Sequence, residues 1–132
     1  MKVSTRGTYA LKAMTYLAKN YDESKFISLN EIAIANNIPI KYLEKIFNIL
    51  NKHTFFITLR GNEGGYRLAR KPEEYKISDI LSITEKTVAP VECVKDGTTC
   101  THRNECSTFS FWKGLYDVEK NYLDSKTLKD LM

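Results

Sequence analysis

Between Ile32 and Leu50 apolar residues recur at helical spacing on both sides of one break, Asn36-Asn37-Ile38-Pro39, and this feature constrains the fold more than any other. The first helix opens at Ser28-Leu29-Asn30-Glu31, a capping-box pattern in which the serine accepts from a backbone N–H and the glutamate reaches back. It is short, turns Leu29, Ile32 and Ala33 inward, and stops where asparagine tolerates the left-handed backbone of a helix end. Pro39 then opens the second helix, because the N–H it lacks would have had no intrahelical acceptor. Over residues 40–52, Leu43, Ile46, Phe47 and Leu50 form a single apolar stripe.

Upstream, residues 4–20 predict an amphipathic helix with Ala10, Ala13, Met14, Leu17 and Ala18 on one side and Ser4 or Thr5 as N-cap. Downstream the period changes. Phe55 to Arg60 and Tyr66 to Arg70 read as two strands joined by Gly61-Asn62-Glu63-Gly64-Gly65, a hairpin with a glycine-rich tip. Pro72 ends the second strand, and Ser78 is placed to cap a short helix through Asp79, Ile80, Leu81 and Ile83. Residues 87–106 lose periodicity and hold all three cysteines. A last helix, residues 107–124, places Phe111, Leu115, Val118 and Tyr122 at the seam spacing of a helix that packs against a partner helix, and a tail follows.

A stretch of 132 residues can bury one modest core and is short for two, so we expect one domain with appendages. We therefore expect a mainly α fold with a small β-hairpin wing: residues 1–76 as a winged helix-turn-helix, and residues 77–132 as linker helix, cysteine loop and long C-terminal dimerisation helix. The start of the chain lacks the pattern of a signal peptide, and no apolar run is long enough for a bilayer, so the expectation is a cytoplasmic protein with no membrane association. Residues 1–76 carry 13 basic against 7 acidic side chains, a balance of +6, whereas the remainder carries 7 against 9, a balance of −2. A polyanion would meet the basic half.

In the expected motif the second helix of the pair enters the major groove. Opposite its apolar stripe it carries Lys41, Glu44, Lys45, Asn48 and Lys52, with Tyr42 adjacent. Lysine donates to guanine, asparagine pairs with adenine, and Glu44 accepts from cytosine while repelling phosphates, which makes it a specificity element. The wing adds Arg60, Arg67 and Arg70, and Gly61, Gly64 and Gly65 let the backbone approach phosphates. Singly, each of these features is ordinary solvated surface; their order along the chain carries the reading. An enzyme is excluded by the lack of any nucleophile, base and orienter set around His53 or His102.

Cys93, Cys100 and Cys106 are spaced C-x6-C-x5-C, close enough in sequence to meet at one metal centre but without the knuckle of structural zinc. A fourth position is left to His102, Glu92, Glu105 or a partner-chain group, and the plain alternative is spare thiols in a mobile loop.

These blocks together resemble the Rrf-two family of bacterial transcriptional regulators, of the IscR/NsrR type. The resemblance rests on Ser4 to Met14, Tyr42-Leu43-Glu44-Lys45-Ile46-Phe47, Arg60-Gly61 with Gly64 to Leu68, the three cysteines, and Trp112 followed by Thr127 to Leu131. It implies a homodimer on double-stranded promoter DNA, with an iron–sulfur cluster, 2Fe-2S ahead of 4Fe-4S, held by Cys93, Cys100 and Cys106. The fourth ligand does not transfer: where IscR-type members have histidine this chain has Phe109, and where NsrR-type members have aspartate it has Thr8. Two rivals stand beside this reading. One is a cluster-free regulator of cysteine or sulfur metabolism, which would answer to a protein partner or small molecule. The other is a small metal or electron-transfer protein that does not bind DNA.

Overall fold

The computed structural model describes residues 2–132. Helix α1 (Thr5–Lys19) begins at the extended Ser4, whose hydroxyl accepts from the Gly7 N–H at 3.1 Å. Helix α2 (Leu29–Asn36) is capped by Ser28, which accepts from Glu31 N–H, and ends at Asn37 with φ 53°, the left-handed stop read from the sequence. Only half of the capping box forms. The Glu31 carboxylate accepts instead from the Tyr16 hydroxyl at 2.8 Å, tying α2 to α1 and raising the tyrosine's pKa through that hydrogen bond. Pro39 occupies the cap of α3 (Ile40–Asn51) rather than its first turn.

The core forms where α1, α2 and α3 meet, with Ala10, Met14, Ile32, Leu43 and Phe47 all fully buried. Strands β1 (Phe56–Leu59) and β2 (Gly65–Leu68) pair antiparallel from Phe56 opposite Leu68 to Leu59 opposite Gly65. A third backbone segment joins them, as Ile27 and Tyr66 exchange N–H to carbonyl bonds of 2.9 and 2.8 Å. That approach explains Gly65, where a Cβ would lie 2.2 Å from the Ile27 carbonyl oxygen. The hairpin tip needs Gly61 for another reason, its φ of 109°. Phe47 stacks on Phe56 at 4.6 Å and meets Tyr66 edge-on at 4.9 Å, so α3 and both wing strands share one aromatic cluster.

After a 3-10 turn at Pro72–Glu74, helix α4 (Ile77–Thr84) packs on α1 and α3. Ser78 does not cap it. Lys76 holds the cap position without a side-chain hydrogen bond, its ammonium having no acceptor to offer, and the Ile77 N–H donates to the Lys126 carbonyl at 2.9 Å. A second 3-10 turn, Glu92–Val94, precedes α5 (Phe109–Ser125), which starts two residues later than the spacing suggested. The residues expected as a tail instead return to the core. Lys76 bridges Thr127, Leu128 N–H donates to the Tyr75 carbonyl at 3.0 Å, and α6 (Leu128–Leu131) buries Leu128 completely. No helix among the described residues is long and apolar enough to cross a membrane.

Candidate functional site

Two features carry the chemistry: the outer face of α3 with the wing, and the cysteine segment between α4 and α5. On α3 the stripe of Leu43, Ile46, Phe47 and Leu50 is buried, which forces Lys41, Tyr42, Glu44, Lys45, Asn48 and Lys52 outward, and all six are exposed. Lys41, Lys45, Asn48 and Lys52 step by four, three and four residues, so they lie along one side of the helix. Tyr42 is held at the margin of that face, its ring edge-on to Tyr9 of α1 at 5.5 Å. The face is polar, mostly cationic and rigidly backed by the core.

The wing residues divide. Arg60 and Gly61 are exposed at the tip. Gly64 and Gly65 are half-buried against the chain itself, and a Cβ on Gly64 would lie 2.1 Å from the Leu59 carbonyl oxygen. Arg67 is engaged elsewhere: its guanidinium donates to the Glu23 carbonyl and sits 4.7 Å over the Phe26 ring, clasping the 21–26 loop. Arg70 likewise lies 4.6 Å over the Tyr75 ring at the base of the wing.

A contact invisible in the sequence joins the two features. Glu85, at the exit of α4, accepts from both the backbone N–H and the hydroxyl of Ser4, while Arg6 Nε donates to the Thr84 carbonyl at 2.8 Å. The start of α1 is thereby fastened to the root of the cysteine segment. The partners lie 81 residues apart, and nothing near Glu85 in the chain signals the contact.

The three cysteines are free thiols, Cys93 and Cys100 half-buried and Cys106 exposed. Cys93 sits on the 3-10 turn whose next residue, Val94, is buried. Glu92 pairs with Lys95 at 3.7 Å, and His102 and Glu105 are exposed on a local turn in which Glu105 N–H donates to the His102 carbonyl at 3.0 Å. Cys106 lies just before α5. A hydrogen bond from the Thr108 hydroxyl, with backbone N–H groups of the first turn, lowers its thiol pKa from the ordinary value. Among the described residues no three His, Cys, Asp or Glu side chains are gathered closely enough to hold a metal ion. The donor chemistry of three unpaired thiols on one segment fits an iron–sulfur cluster.

Comparison with known proteins places these features in company. A family model for Rrf2, described as an iron-dependent transcriptional regulator, matches residues 3–132. Protein rrf2 of Nitratidesulfovibrio vulgaris is 33% identical over 132 residues, spanning 100% of this chain and 87% of that protein. Among solved structures, CymR, the global cysteine regulator of Bacillus subtilis, superposes with a TM-score of 0.81 at 34% identity, covering 99% of this chain and 95% of CymR. IscR of T. potens superposes with a TM-score of 0.78 at 31% identity, covering 99% and 85%.

Proposed function

This chain belongs to the Rrf2 family of DNA-binding transcriptional regulators, and from that premise we propose that it is a homodimer whose affinity for promoter DNA is set by an iron–sulfur cluster on Cys93, Cys100 and Cys106. It is a regulator and not an enzyme. Residues 1–76 form the DNA-binding part of the proposal. Lys41, Lys45, Asn48 and Lys52 reach base edges and phosphates, Glu44 selects sequence, and Tyr42 contacts the backbone. Arg60 and Gly61 carry the wing contact, with Gly64, Gly65 and Arg67 holding the wing in shape.

One observation supports the sensing half of the reading above the others: three free thiols lie on a single segment whose root is fastened by Glu85 to α1. When bound, a cluster supplies a redox- and iron-dependent preference for one conformation of that segment. The chain's own part is then mechanical. The Glu85 and Thr84 contacts to Ser4 and Arg6 link the segment to α1, and α1 backs α3 through Tyr9 and Tyr42. The response can be no larger than the difference in cluster affinity between the two arrangements. The fourth ligand comes from Glu92, His102, Glu105 or the partner chain, and 2Fe-2S is the favoured nuclearity.

The dimer contact in this proposal is α5, which leaves Phe111, Leu115, Val118 and Tyr122 exposed on a surface that water does not favour. A second reading, a cluster-free regulator of cysteine supply, draws support from the likeness to CymR and from the absence of a gathered donor set among the described residues. The visible absorption spectrum of anaerobically purified protein, with its iron and sulfide content, separates the two. Brown protein that bleaches when the three cysteines are replaced by serine, with promoter affinity changed on bleaching, is the expected result. Protein that stays colourless after cluster reconstitution yet binds DNA overturns the cluster reading and leaves the second.

A further inference from the structure

Between α4, α5 and the cysteine segment lies a partly open cavity of about 170 Å3. Its walls are apolar where Leu81, Val88, Leu123 and the ring of the buried Tyr116 meet. At its mouth Lys120 Nζ donates to Asp96 Oδ2 at 3.0 Å, and the Tyr116 hydroxyl donates to the same oxygen at 3.2 Å. Asp124, one turn along α5 from Lys120, also lines the cavity. One ammonium thus faces two carboxylates around an apolar floor.

We propose that this cavity binds a small zwitterion, an α-amino acid with a short apolar side chain, whose carboxylate takes the place of Asp96 on Lys120 and whose ammonium pairs with Asp124. The volume sets the size, falling below the ~300–1,000 Å3 of pockets that hold cofactors or drug-sized ligands. The carboxylate excess sets the charge, since an ammonium offsets the second acidic group, while Lys120 supplies the donor for the other end of the ligand. Exposure makes the exchange feasible. The Asp96 and Lys120 side chains are 70% and 42% exposed, and an ion pair so open to water holds its partners weakly. The hydrogen bond from Lys120 lowers the Asp96 pKa, and the Asp96 carboxylate raises that of Lys120, so both groups stay charged near neutrality.

The site has a consequence for the segment beside it. Asp96 lies between Cys93 and Cys100, and its bonds to Tyr116 and Lys120 tether that stretch to α5. A ligand carboxylate that displaces Asp96 releases the tether and so couples occupancy to the cysteine segment. This inference is independent of the cluster, because binding is measured on the full-length protein without DNA or metal.

Isothermal titration with L-valine, isobutyrate and isobutylamine tests it. L-valine is expected to give saturable heat, with each single-ended analogue at least about tenfold weaker. Lys120→Met is expected to weaken valine binding by about tenfold, whereas Asp96→Asn, which removes the internal competitor, is expected to tighten it. Opposite signs in the two variants distinguish loss of a site from loss of folding. Absence of saturable heat up to about 10 mM valine, equal binding of either analogue, or indifference to both substitutions overturns the proposal.

Discussion

Replacing Glu85 by alanine removes the acceptor for both the N–H and the hydroxyl of Ser4. Hydrogen bonds to a charged acceptor contribute ~1.5–3 kcal/mol each when well made, and at this half-exposed site the pair is expected to contribute about 2 kcal/mol. For a chain of this size that loss lowers Tm by about 8 °C. The structure also gives a sharper test through Gly7. A Cβ there would stand 2.9 Å from Val3 Cγ1 and 3.1 Å from the Glu85 carboxyl carbon. Alanine in place of a helical glycine ordinarily gains ~1 kcal/mol, and here the crowding cancels that gain. With Glu85 already removed, two of the three nearest contacts to the new methyl are gone, so Gly7→Ala becomes less costly. The double-mutant cycle is therefore expected to show about 1 kcal/mol of coupling. Urea unfolding followed by Trp112 fluorescence, at fixed protein concentration because the proposed dimerisation would contribute to stability, measures each corner of the cycle. Additivity within ~0.3–0.5 kcal/mol would refute the contact that fastens α1 to the cysteine segment.

Changing Lys45 and Asn48 together to alanine should abolish sequence-selective promoter binding in a gel-shift or anisotropy assay, whereas Arg60→Ala should weaken all DNA about equally and reduce the salt slope by about 1. Gly65→Ala should destabilise the wing by about 2 kcal/mol or more, since its methyl collides with the Ile27 carbonyl, and amide exchange at Tyr66 should speed up. Arg67→Ala should lower thermal stability by about 1 kcal/mol while leaving the salt slope unchanged, because its guanidinium is occupied with Glu23 and Phe26; a reduced slope would return Arg67 to the DNA contacts. Val118→Asp, on the exposed face of α5, should convert the protein to monomer in sedimentation and weaken operator binding by more than tenfold.

Many of the local features were legible in neighbouring residues alone. Ser4 and Ser28 as caps, Asn37 as a left-handed stop, the buried stripe of α3 and hence its exposed polar face all follow from spacing and side-chain chemistry within a few residues. The family was legible for the same reason, since its blocks are runs of neighbouring residues. What required the tertiary structure was every decision made by residues distant in the chain. Ser78 falls inside α4 because the helix begins at Ile77, whose N–H meets the distant Lys126 carbonyl, and the supposed tail becomes core because Leu128 is buried beside Tyr75. Arg67 meets Phe26 and Glu23 only because another loop comes beneath it, and Glu85 meets Ser4 only because α1 is brought to it. Local patterning fixes which side of a helix is apolar and, at α1 and α2, where the helix is capped, because those energies come from groups along the same few turns. Which polar groups then meet depends on how the helices pack, and no pattern along one element encodes a partner 81 residues away.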